Sequence, residues 1–211
     1  MCVYKKGLTM ILRHDKVRNM GIKNLKDIVT VIAGYTFRMA LEPQINGLMA
    51  VIQSKDVLDN LYINKENLTK IDLHKYQSKA LVEENDVIIS SRGSFKTNVI
   101  KGNTNNIIAS SSVYILRLKD KNIIPEYLAV YLNSVEGQKK IRNKITGSVI
   151  KTILRKDLEN LKIPLPDKNI QKKIINLYKN NQTQQKLLTR KKILINEIVE
   201  SSISNFLKQY D

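Results

Sequence analysis

Leu161-Lys162-Ile163-Pro164-Leu165-Pro166, followed by Gln171-Lys172-Lys173-Ile174-Ile175, is the stretch on which the reading of this chain turns. A short apolar run ends in two of the chain's four prolines, and an unbroken helical pattern then continues almost to the last residue. Proline gives no N–H to a strand ladder and disfavours helix in the residue before it. Pro164 and Pro166 are therefore expected to close whatever precedes them. On this reading residues 1–166 form a globular body and residues 167–211 a long helix.

Working toward the C-terminus, the helical pattern from Lys168 to Gln209 extends about 63 Å at 1.5 Å per residue. Ile170, Ile174 and Leu177 fall on one stripe; Leu188, Ile195, Val199, Ile203, Phe206 and Tyr210 fall on another. The all-polar run Asn180-Asn181-Gln182-Thr183-Gln184-Gln185 separates them. A lone helix cannot bury such stripes, so they call for a partner, either the chain's own body or a second helix. The spacing after Leu188 is nearer 3.6 than a strict heptad, which suits a straight helix pair as well as a supercoil.

Working toward the N-terminus, residues 1–24 are basic and weakly patterned, a lead-in to a domain that opens at Leu25-Lys26-Asp27-Ile28. The β-branched run Val29–Ala33 reads as a strand stopped by Gly34 and Tyr35. Further extended segments are expected at Leu48–Ile52, Asp86–Ser91, Val99-Ile100, Ile107-Ile108 and Val113–Leu118. Short strands at close spacing, without long helices between them, predict a mixed, curled sheet in an α/β (mixed α+β) fold. Pro125 with Glu126 sets the start of a helix carrying Tyr127, Leu128, Tyr131 and Leu132. A basic continuation runs through Gln138 to Lys144.

The balance of charge narrows the partner. Thirty-six Lys and Arg oppose 19 Asp and Glu, a formal charge of +17 over 211 residues. Such an excess favours an acidic polymer over a neutral small substrate, although an Asn- and Ile-rich, A+T-biased coding sequence raises lysine as well. A hydrophobic content of 42% is that of a folded protein. The single Cys2 points to a reducing compartment. No apolar run reaches the roughly 20 residues of a membrane span, and Met1–Lys6 lack the apolar stretch of a secretory signal. The cytoplasm is the expected location.

Several chemistries are missing. No glycine-rich phosphate loop is present, and His14, His74 and Cys2 do not compose a zinc site. No Asp-Pro-Pro-Tyr-like tetrapeptide for amino methylation occurs, and no Asp or Glu is followed two positions later by Lys as in metal-dependent nucleases. Ser110-Ser111-Ser112 lack an acid–His pattern and read as strand and turn residues. Neither a cofactor nor a metal is expected, and the chain is not expected to be an enzyme.

Four segments resemble one family when taken in order. They are Leu25-Lys26-Asp27-Ile28 leading to Gly34, and Glu84-Asn85-Asp86-Val87-Ile88-Ile89-Ser90-Ser91-Arg92-Gly93. Then come Ile124-Pro125-Glu126-Tyr127-Leu128 with Tyr131-Leu132-Asn133-Ser134, and Thr146-Gly147-Ser148, Leu158 and Ile163-Pro164-Leu165-Pro166 before Gln171. Together they resemble the DNA specificity subunit of type I restriction–modification systems, with one target-recognition domain and one conserved helical region. Family members usually carry two of each, so the chain resembles a half-length form, or a fragment of a longer one. The resemblance implies a mixed α/β recognition domain on a long helix, reading double-stranded DNA while docking methyltransferase and restriction subunits. The rival expectation is an adaptor or inhibitor of such a complex that keeps the helix and no longer reads sequence.

Three loops carry the candidate DNA contacts. In Ser90–Lys96, Ser91, Arg92, Gly93 and Lys96 suit a strand end offered to DNA, with Arg92 and Lys96 on phosphates or guanine edges; an ordinary hairpin turn has the same residues. In Thr146–Lys156, Ser148, Lys151, Thr152 and Arg155 combine hydroxyls and cations of the kind that anchor phosphates. Arg38, in Tyr35-Thr36-Phe37-Arg38, is the third. For dimerisation through the helix, the candidates are Ile174, Leu177, Leu188, Ile195, Val199 and Phe206.

Overall fold

A computed structural model describes residues 21–72, 78–147 and 151–208 of the protein. Residues 1–20 with His14, together with His74, Ser148 and Tyr210, lie outside the described residues. The chain divides into two compact units, Met1–Lys172 and Lys173–Asp211. Its described elements, in chain order, are β1 (Gly21–Asn24), α1 (Leu25–Ile28), β2 (Val29–Ala33), β3 (Met49–Ile52), β4 (Thr69–Ile71), β5 (Val87–Ser90), β6 (Thr97–Val99), β7 (Ile107–Ala109) and β8 (Val113–Leu118). There follow α2 (Pro125–Asn133), α3 (Val135–Arg142), β9 (Ile145–Thr146), β10 (Thr152–Ile153), α4 (Arg155–Glu159), β11 (Lys162–Leu165) and α5 (Lys168–Leu207).

The expected mixed sheet is realised as two small sheets sharing a core. One is antiparallel throughout in the order β2-β8-β5-β6; the other places β3 between antiparallel β4 and parallel β7. Ile52 from β3, Ala109 from β7, Ile88 from β5 and Val113 and Ile115 from β8 meet in one apolar cluster. β3 is apolar on its other face too: Met49 and Val51 pack with Ile71 and Ile108, partly covered by Tyr35 and Phe37. Burial on both faces explains why Met49–Ile52 and Val87–Ile89 read as continuous apolar runs instead of alternating ones. α2 packs against β5 and β6, and Asn133 at its end grips β6 by accepting from Thr97 N at 2.9 Å and donating to Thr97 O at 2.7 Å.

Two expectations change. Residues 21–24, read as part of a lead-in, form β1 and pair antiparallel with β11, Ile22 opposite Pro164. Pro164 therefore lies inside a strand instead of ending one. The pairing tolerates it because β11 has β1 as its one sheet partner among the described residues, so a missing N–H on the open edge breaks no ladder. The Pro164 carbonyl accepts the Tyr127 hydroxyl at 2.7 Å, and burial pushes that phenol well above its ordinary pKa. Pro166 does end the strand, and Asp167 caps α5 by accepting from Asn169 N at 2.9 Å and Ile170 N at 3.0 Å.

Gln171 shows why its position matters. Buried in the first turn of α5, it accepts from Ile124 N and donates to Asn122 O and Pro166 O, each at 2.9 Å. Two backbone groups at the mouth of α2 and one just beyond β11 are satisfied by this one amide. A second polar tie crosses the sheet. Arg117 donates from Nε to Asp86 Oδ1 at 3.0 Å and from Nη2 to Asp86 Oδ2 at 2.8 Å, while Nη2 also reaches Leu81 O. Its Nη1 meets Glu83 at 2.5 Å. Asp86 is buried and also accepts from Glu83 N at 2.7 Å; its hydrogen bonds hold the guanidinium pKa above the ordinary arginine value.

Gly34 terminates β2 for a packing reason. A Cβ at this position would be driven into the Ser110 carbonyl group. Gly34→Ala is expected to cost about 3 kcal/mol, as overpacking against rigid backbone does, lowering the melting midpoint by roughly 6–12 °C. Gly21→Ala, where a Cβ meets nothing within 4 Å, is the matched control and should melt with the parent. Equal melting of the two variants in a thermal scan would refute the crowding at Gly34.

The second unit is the remainder of α5, a helix of 40 residues in all. Leu188, Ile195, Val199 and Ile203 are each about half exposed on it. Ile174 is half-buried and Leu177 exposed. No described helix is long and apolar enough to cross a membrane.

Candidate nucleic-acid interface

The Ser110–Ser112 turn ties three strand ends together. Ser110 N donates to Ile52 O at 2.8 Å, Ser111 N to Tyr35 O at 2.8 Å, and Ser91 N to Ser112 O at 2.9 Å. The Ser110 and Ser112 hydroxyls lie 2.8 Å apart, and Ser112 Oγ accepts from Ser54 N at 2.9 Å. These serines hold the ends of β2, β3 and β5 in one place, the structural part expected of them.

From this knot the β5–β6 loop emerges. Ser91 is buried, so its contribution is to anchor the loop, while Arg92, Gly93 and Ser94 are exposed. Gly93 has φ +78°, a left-handed conformation that suits glycine, and a Cβ there would meet open space. The turn itself is what requires glycine. Phe95 also has a positive φ, 51°, and is buried. Its carbonyl accepts from Gln138 Nε2 at 3.0 Å, which fastens the loop to α3. Lys96 turns away into an ion pair with Asp59 at 3.0 Å.

The second loop closes on the first. Ile153 N donates to Ser91 O at 3.1 Å, Gly93 N donates to Lys151 O at 3.3 Å, and Arg92 and Thr152 form an antiparallel bridge. β9 and β10 support the closure as a short hairpin, Thr146 opposite Thr152. Tyr114, on β8, donates its hydroxyl to Ile153 O at 3.3 Å. Burial raises the Tyr114 pKa, and a backbone hydrogen bond from Arg155, with the nearby charges of Arg155 and Arg92, pulls it back. Two guanidiniums from distant parts of the chain thus act on one phenol.

Of the residues picked from sequence, the structure brings together Arg92, Gly93, Lys151, Thr152 and Arg155. Arg155 opens α4 and donates to Glu159 Oε1 at 2.7 Å. Arg38 is exposed three residues beyond Tyr35, the residue whose carbonyl accepts from Ser111 N in the serine turn. No local signal in the sequence marks Tyr114 and Gln138, because their part depends on partners 39 and 43 residues away. Chemically, the edge offers cations, hydroxyls and a backbone turn, the groups that position phosphates and read guanine edges. Among the described residues no cluster of His, Cys, Asp or Glu is arranged to hold a metal ion.

The fold is shared with solved proteins. It matches the S subunit of the type I restriction–modification system from M. genitalium with a TM-score of 0.56 and 17% identity, covering 81% of this chain and 41% of that one. The HsdS subunit from Thermoanaerobacter tengcongensis gives 0.57 and 23% identity, covering 82% and 40%. A third chain, from a structure addressing complex assembly and conformational transition of the type I R-M system, gives 0.59 and 21%, covering 88% and 44%. The chain spans about two fifths of the length of these solved subunits. No curated protein matches it. The model of the type I restriction modification DNA specificity domain matches residues 18–197, taking in both the body with its two closed loops and most of α5, and the chain belongs to that family.

Proposed function

We propose that this chain reads DNA sequence for a type I restriction–modification complex, directing methyltransferase and restriction subunits to a target while catalysing nothing itself. The observation that carries the reading is the closure of the Lys151–Ile153 segment onto Ser91–Gly93, which brings the exposed Arg92 and Lys151 to neighbouring positions of one backbone pairing. Affinity for duplex DNA should fall steeply with salt, since each neutralised phosphate contributes about 0.9 to the log–log slope. Arg92→Ala and Lys151→Ala should each weaken binding; a base contact is worth about 1–3 kcal/mol on the preferred sequence. A loss equal on all sequences marks a phosphate contact, and a loss confined to the preferred site marks base reading. A flat salt response would sink the proposal.

Self-association through α5 completes the reading. Half-exposed Leu188, Ile195, Val199 and Ile203 support it, because apolar side chains of this size are stabilised when a partner covers them. Closed two-fold pairing is the commonest arrangement. An antiparallel pair would bring the polar Asn180–Gln185 stretches together and separate the two recognition bodies, suited to an interrupted palindromic target.

A further inference from the structure

The protein's lysines and arginines divide by what they do internally. Lys23, Lys96, Lys101 and Arg117 are held in ion pairs with Asp120, Asp59, Glu126 and Asp86. Lys140 turns inward from α3, donating to the Tyr131 hydroxyl at 2.8 Å and to Lys162 O at 3.1 Å. Three further cations follow a different pattern. Lys139 and Arg142 on α3, and Lys144 just beyond it, are exposed, and no ion pair holds any of them among the described residues.

The helix that carries these cations is fixed in place on both sides. Gly137 and Ile141 are buried on its inner face, and Gln138 Nε2 donates to Phe95 O at 3.0 Å and to Leu132 O at 2.9 Å. Beyond Lys144 the chain passes directly into β9, whose partner β10 carries Thr152, the residue bridged to Arg92. α3 is therefore joined to the Arg92 loop twice, once through Phe95 and once through the hairpin. Lys139 and Arg142 stand three residues apart on the same helical face, where like charges repel. The negative helix C-terminus offsets part of that repulsion, and a polyanion laid along the face would offset the rest.

We infer that the exposed face of α3 with Lys139 and Arg142, continued by Lys144 in the turn beyond it, is a rail for the DNA phosphate backbone that extends the Arg92–Lys151 pairing along the duplex. It holds register without reading sequence, because flexible cations on a helix flank meet phosphates irrespective of the base. The inference rests on the DNA-reading function proposed above.

The test is the salt dependence of binding by the full chain to a mixed-sequence duplex. Changing Lys139, Arg142 and Lys144 together to Gln should reduce the log–log slope by about 2 to 3 units, one phosphate per cation, and each single change by about 0.9. A charge-matched control changes Lys26, Lys70 and Lys121, also exposed, to Gln and should keep the parent slope. Thermal midpoints of both triple variants should match the parent, and the single changes supply the slopes if a triple variant melts early. Equal slope losses in the rail and control variants would overturn the inference, showing an effect of total charge alone. An unchanged slope in the rail variants, with a steep parent slope, would overturn the rail and leave the DNA reading standing. A flat parent slope would remove both.

Discussion

Arg117→Ala is expected to lower the thermal midpoint of the protein by roughly 6–20 °C. Asp86 is 2% exposed, and the Arg117 guanidinium supplies both of its charge-assisted bonds, at 3.0 and 2.8 Å. Removing the cation strands a buried carboxylate, which typically costs about 3 to 5 kcal/mol, and each kcal/mol moves the midpoint of a body this size by about 2–4 °C. The same change frees Leu81 O from its donor. Arg117→Lys should recover only part of the loss, because an ammonium cannot make the two-pronged contact. Pairing Arg117→Met with Asp86→Leu removes both charges and should recover more than half of the deficit. A midpoint for Arg117→Ala within 2 °C of the parent, or a double variant no better than the single one, would refute this account.

The second large effect is expected in oligomeric state. Light scattering of the full chain at micromolar concentration should give twice its 24.2 kDa. Ile195 and Val199, one helical turn apart and about half exposed, would lie in the contact between two α5 helices. Ile195→Asp with Val199→Asp removes about 1.5–3 kcal/mol of burial per side chain and asks a charge to be desolvated in its place. A loss of 4 kcal/mol or more raises the dissociation constant about a thousandfold, enough to leave a monomer. The body should melt as in the parent, since both positions belong to the second unit. A parent that is monomeric at micromolar concentration, or a double Asp variant that stays dimeric, would rule out self-association through this helix.

These two effects differ in how far the sequence foretold them. The stripes of α5 were legible because helical periodicity is a local signal: Leu188, Ile195 and Val199 repeat whatever else the chain does, and the helix spans Lys168–Leu207 as that pattern requires. The strands Val29–Ala33 and Val113–Leu118 were legible on similar grounds, being β-branched runs ended by turn residues. The Arg117–Asp86 pair was not legible. It joins β8 to the residue just before β5, 31 positions apart, and no local pattern marks one arginine among many cations as the one that is held.

The same division runs through the candidate site. Arg92, Gly93, Lys151 and Arg155 could be picked as exposed turn chemistry, since glycine and clustered cations speak for themselves. That Arg92 meets Thr152, and that Ser91 is buried beneath them, required the fold. Likewise Pro164 reads as a stop because the sequence does not say whether a strand lies at a sheet edge. β1, drawn in from 140 residues away by its pairing with β11, supplied the edge that makes a proline admissible. Sequence alone determined which segments are apolar, which are charged and what period each follows, because these are properties of neighbouring residues. Tertiary structure decided which strand is an edge, which cation is spent on an internal acid and which remains for a partner, because a hydrogen bond or ion pair depends on whichever residue the folded chain brings to within about 3 Å.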